Sequence, residues 1–104
     1  MGLAARVLMS IKEKQMSSIR YSTQYKKDIK NLSINEVNLV NELIKKLVNK
    51  ECLEPKYKDH ALIGDYKDFR ECHVKANLLL IYRHFGDELL LARIGSHQAL
   101  FKKY

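Results

Sequence analysis

Six apolar residues, Val37, Val40, Leu43, Ile44, Leu47 and Val48, recur at helical spacing and trace a single stripe. The start of that helix is written just ahead of it. Ser33 and Glu36 form a capping-box pattern, and Leu32 and Val37 are placed as the apolar pair that flanks such a cap. A shorter helix comes first, with Ser22 as its N-cap and Tyr25, Ile29 and Leu32 on one side. Ile19-Arg20-Tyr21 reads as a short strand leading into it.

Beyond Pro55, the single proline, the period changes. Residues 56–68 are polar, with Gly64 as a turn position. Phe69 to Val74 alternates as a strand does, and Lys75-Ala76-Asn77 turns the chain. Leu78-Leu79-Leu80-Ile81-Tyr82 is a continuous apolar run, the mark of a central strand covered on both faces. Gly86-Asp87 predicts a hairpin turn into a further strand, Glu88 to Ile94. Gly95-Ser96 ends that strand, and Ser96 caps a terminal helical turn whose Leu100 and Phe101 pack back. The predicted order is β-α-α-β-β-β, with room for one more short strand at Ala61-Leu62-Ile63. Helices and strands are segregated, so the fold class is α+β: two N-terminal helices on a small, mainly antiparallel sheet.

With 104 residues the chain accommodates one domain. We assign it to residues 17–104 and read 1–16 as an accessory extension. Leu3, Val7, Leu8 and Ile11 in that extension, interrupted by Arg6, are too few for a membrane span, and no secretory cleavage site follows. Nineteen Lys and Arg against twelve Asp and Glu leave a net charge of +7, which favours a polyanionic partner. Lys26, Lys27 and Lys30 fit either a solvated helix face or an RNA-backbone contact. Two cysteines, Cys52 and Cys72, supply neither a disulfide framework nor a paired metal motif. They are expected in the core or half-buried, in a reducing cytoplasm.

The candidate chemistry lies in three segments: Lys56 to Leu62, Arg70-Glu71-Cys72-His73, and Arg93 to His97. His60, His73 and His97 each stand near Lys or Arg, whereas His84 beside the hairpin turn reads as structural. RNA carries its own nucleophile, the 2′-hydroxyl. Cleavage therefore needs a base, an acid and a cation for the charge that grows on phosphorus. Strand period two puts Phe69, Glu71 and His73 on one face and Arg70 and Cys72 on the other. That excludes Arg70 and leaves Arg93 as the active-site cation, with Lys56 and Lys58 for backbone contacts. Adjacent antiparallel strands would bring His73 to the Arg93–His97 end. The histidine spacing matches no metal motif, so neither a metal nor any other cofactor is expected.

Tyr57-Lys58-Asp59-His60-Ala61-Leu62, Gly64, Phe69-Arg70-Glu71-Cys72-His73, Leu79-Leu80-Ile81-Tyr82 and Arg93-Ile94-Gly95-Ser96-His97-Gln98-Ala99-Leu100-Phe101 resemble the YafQ branch of the RelE/ParE toxin superfamily. The resemblance covers about Ile19 to Phe101. It implies the RelE-like α+β microdomain and the toxin of a type II toxin–antitoxin pair, an mRNA interferase acting in the ribosomal A site. It also implies a cognate antitoxin, expected to be acidic. His60, His73, Arg93, His97 and Phe101 match the family's active-site motif. By resemblance His97 is the general acid, His60 or His73 the base or a phosphate ligand, and Arg93 the cation. Phe101 would orient a base or simply pack in the core. The chain departs from the pattern at Asn77, where an aspartate is common; Asn cannot accept a proton as a carboxylate does. The base then falls to His60, His73 or Glu71, and Glu71 shares the His73 face. The alternatives are a non-catalytic ParE-like toxin that binds DNA gyrase, and a basic nucleic-acid-binding module without toxicity.

Overall fold

The computed structural model describes residues 18–101, so the extension assigned to 1–16 lies outside the described residues. Strand β1 (Ser18–Tyr21) leads into α1 (Thr23–Asp28) and the long helix α2 (Ile34–Val48). Strands β2 (His60–Ala61), β3 (Arg70–Lys75), β4 (Leu78–Phe85) and β5 (Glu88–Gly95) follow, and α3 (His97–Leu100) closes the fold. The sheet runs β1-β5-β4-β3-β2, antiparallel throughout except for the parallel pair β1 and β5. The α+β class, the helix order and the mainly antiparallel sheet are as the sequence predicts.

Each helix begins where a serine can accept a backbone N–H. Ser22 Oγ accepts from Tyr25 N at 2.9 Å, and Ser96 Oγ from Ala99 N at 3.1 Å. Ser33 Oγ accepts from Glu36 N at 3.2 Å while Glu36 Oε1 accepts from Ser33 N at 2.9 Å, which completes the capping box. Lys75 Nζ, 2.9 Å from Glu36 Oε2, ties that helix start to β3. The Glu36 carboxyl is held below its usual range, first by the Ser33 N–H and then by Lys75.

The main core lies between the helices and one sheet face. Tyr25, Val40, Leu43, Ile44, Leu47 and Val48 meet Cys72, Val74, Leu78, Leu80, Tyr82, Leu89, Leu91 and Ile94. On the other face Leu79, Ile81 and Leu100 form a smaller cluster, bordered by Leu62, Tyr66, Phe69, Ala92 and Phe101. β4 thus buries both of its faces, as its unbroken apolar run requires. Among the described residues far less chain covers the second face, which they leave open.

Three expectations are corrected. The extra strand forms at His60–Ala61 rather than 61–63, because Gly64 at φ +70° turns the chain and leaves Ile63 90 % exposed. Of the two cysteines only Cys72 is buried; Cys52 falls in the exposed link after α2. Strands β3 and β5 are not neighbours either, since β4 separates them.

Candidate active site

Register across the open face places the candidate residues in two rows. His60 pairs with Glu71, Glu71 with Ile81, and Ile81 with Arg93, so one row crosses four strands. One pleat further on, His73 pairs with Leu79 and Leu79 with Gly95, immediately ahead of Ser96 and His97. Two strand spacings, roughly 10 Å, therefore separate His73 from the start of α3. His73 and His97 flank an apolar floor rather than stand on adjoining strands.

One wall is a histidine pair with a carboxylate between them. Glu71 is only 6 % exposed, and its Oε1 lies 3.5 Å from His60 Nε2 and 3.8 Å from His73 Nε2. His60 Nδ1 lies 2.7 Å from the Lys58 carbonyl, which can only accept, so Nδ1 carries a proton. Nε2 is thereby left for exchange, facing Glu71. The turn that presents His60 is pinned from below. Asp59 accepts from Arg70 Nη2 at 3.1 Å and from the Tyr82 hydroxyl. Burial and the Asp59 contact push the Tyr82 hydroxyl well above its usual range. Arg70 thus braces the opposite side of β3 and stays out of the site, as strand alternation implies. Lys58, at φ +48°, shapes the same turn, and Lys56 sits over the Tyr57 ring at 5.1 Å. Lys56, Lys58, His73 and Lys75 line one cleft there.

The other wall is aromatic and cationic. The His97 and Phe101 ring centroids are 5.1 Å apart, and Tyr66 stands edge-on to Phe101 at 5.8 Å and to Phe69 at 6.2 Å. Arg93 reaches this face through a bulge. Tyr82 pairs with Leu91 but Ile81 with Arg93, so Ala92 is the extra residue and alternation resets there. Strict alternation from Leu91 would have sent Arg93 into the helix-side core. Its guanidinium meets the Asp28 carboxylate, Nε to Oδ2 at 2.7 Å and Nη2 to Oδ1 at 3.2 Å. Those bonds, and less strongly the nearby Tyr66 hydroxyl, hold the guanidinium above its usual range.

Asn77 stands beside the start of α3. Its side-chain oxygen accepts the His97 backbone N–H at 3.2 Å and so fastens the start of α3 to the β3–β4 turn. Sequence reasoning missed Asp28, Asp59 and Tyr66. Asp28 sits where basic helix residues drew attention, Asp59 stands inside a quoted motif unremarked, and Tyr66 lies in a polar stretch. His84 lies on β4 near the hairpin turn, its imidazole held below the usual range by burial and by Lys50.

A sequence-family model described as the bacterial toxin of type II toxin–antitoxin system, YafQ, matches residues 17–102. The chain belongs to the YafQ toxin family. It is 38 % identical over 86 residues to the mRNA interferase toxin YafQ of Escherichia coli K12, covering 80 % of this chain and 94 % of that one. The toxin in the E. coli DinJ-YafQ toxin–antitoxin complex superposes with a TM-score of 0.74 at 37 % identity, covering 83 % of this chain and 98 % of the other. A copper-bound mutant toxin from Helicobacter pylori gives a TM-score of 0.77 at 42 % identity, covering 83 % and 100 %. The copper is a property of that protein; among the described residues here, no three His, Cys, Asp or Glu side chains are arranged to hold a metal ion. Nor is any helix among them long and apolar enough to cross a membrane.

Proposed function

We propose that this YafQ family member is an mRNA interferase that cleaves ribosome-bound mRNA by acid–base chemistry on its open sheet face. The observation that carries the reading is the row His60–Glu71–Ile81–Arg93, with His73 and His97 one pleat beyond. It supplies proton acceptors on one wall, and a proton donor and a cation on the other. The E. coli relative's name as an mRNA interferase supports the same reading.

In this mechanism His60 or His73 takes the proton of the 2′-hydroxyl. The 2′-oxygen then bonds to phosphorus while the bond from phosphorus to the 5′-oxygen breaks. His97 gives its proton to that departing oxygen. A proton gained at Nε2 of either His60 or His73 faces Glu71 Oε1. Arg93 meets the charge on the phosphoryl oxygens, a role in which a fixed donor acts in the transition state. Phe101 orients a base against the His97 side, and Lys56 and Lys58 contact the backbone. The partner that silences the toxin is an antitoxin, as DinJ is for the E. coli YafQ in their complex; acidic character would match the +7 charge of this chain.

Mapping mRNA 5′ ends after induction of the full chain tests the proposal. New ends confined to translated frames are expected. Unchanged mRNA with blocked DNA supercoiling would instead assign the gyrase-binding activity.

A further inference from the structure

Asp28 ends α1, and only 10 % of its side chain is exposed. Apart from a long contact from Gln24 Nε2 to Oδ1, 3.4 Å, its carboxylate is directed at β5. Beyond Leu91 that strand has lost β1 as a neighbour, and Ser22 and Asp28 take over its free edge. Ser22 donates through N to the Leu91 carbonyl and through Oγ to the Ala92 carbonyl, and Ile94 N donates to Asp28 Oδ2 at 3.1 Å. The same carboxylate takes Nε and Nη2 of Arg93 in a two-pronged contact. Both halves of the arrangement hang on the Ala92 bulge, which turns Arg93 to the open face and its neighbour Ile94 to the core.

A guanidinium has five N–H donors in a rigid plane. With Nε and one Nη2 hydrogen committed to Asp28, the remaining donors point away from the carboxylate in a fixed direction. Arginine in solution samples many rotamers, and ordering such a side chain costs entropy on ligand binding. Here that ordering precedes the substrate. We infer that Asp28 is a positioning residue for the reaction, which holds the Arg93 guanidinium in the orientation that a phosphoryl oxygen of the RNA substrate requires. The inference rests on the function proposed above, since Arg93 must act on phosphate for its orientation to matter.

The test is a double-mutant cycle on the full chain: Asp28→Asn, Arg93→Gln and the pair, read as single-turnover cleavage of mRNA on ribosomes and as binding to the same complexes. Asp28→Asn keeps an acceptor for Ile94 N and loses the charge. It should slow cleavage about 10- to 100-fold, the scale of a small misplacement in a catalytic group. Binding should change by less than about 3-fold, because a positioning role is realised in the transition state. In the Arg93→Gln background the Asn change should cost nothing further. Asp28→Glu, which keeps the charge and moves the carboxylate by one methylene, should also slow cleavage and keeps the test open if the Asn variant misfolds. Cleavage at the wild-type rate by the folded Asp28 variants, or an equal loss with and without Arg93, would overturn the inference. Wild-type cleavage by Arg93→Gln would instead remove the proposed role of Arg93 itself.

Discussion

Glu71 is a carboxylate taken almost wholly out of water, and its ion-pair neighbours are two imidazoles. A buried carboxylate without a cationic or hydrogen-bonding partner is costly, so its contacts at His60 and His73 matter most when those rings are protonated. Glu71→Gln keeps the shape and removes the charge. It is expected to lower single-turnover cleavage by about 10²-fold, the low end for a group supporting acid–base transfer, with the melting temperature little changed. Unaltered cleavage would make Glu71 a packing residue. Tyr25 gives a separate test. Burial first, then the charges of Tyr21 and Asp28, push its hydroxyl from 10.0 up to about 12. Its folded state therefore favours the neutral form. Stability is whole below the unfolded value near 10 and falls as pH rises from there toward about 12. An alkaline stability titration should show that decline, and Tyr25→Phe should make it shallower while leaving the part due to the raised Tyr82 hydroxyl.

At the scale of elements, the helix starts were readable because each depends on one serine and its near neighbours. Ser33→Ala removes one arm of the capping box and should cost about 1 kcal/mol. For a domain of this size that lowers Tm by about 4–8 °C, measurable by thermal melting, while cleavage stays normal. The strands were legible from alternation and from the apolar run of β4, including the shared face of Glu71 and His73. What alternation could not show was the Ala92 bulge, which depends on how β5 meets β4 and decides where Arg93 points. Asn77 shows the same limit. Its residue type stood out in the sequence, but its contact with His97 N spans twenty positions and exists only once the sheet is assembled. Strand order was similarly out of reach: β1 pairs with β5, the most distant strand in the sequence.

The whole molecule separates its two tasks by sheet face. Helices, Arg70, Asp59 and Tyr82 occupy one side and supply the core and the brace for the His60 turn. The open side carries His60, His73, His97, Glu71, Arg93 and the aromatic wall around Phe101. The chain carries a net charge of +7, and Lys56 and Lys58 are exposed beside the His60 turn. Association with ribosome-bound mRNA should therefore weaken steeply as salt is raised, in a linear log–log plot. A slope near zero would point to a partner recognised through apolar contact instead.

In the proposed reaction the two walls act together on one phosphate. Single-turnover cleavage of ribosome-bound mRNA by the wild type and by His97→Ala, with melting curves for both, tests it most directly. A loss of about 10²–10⁴-fold in His97→Ala with an unchanged melting temperature is the predicted result. Full-rate cleavage by folded His97→Ala would contradict the account.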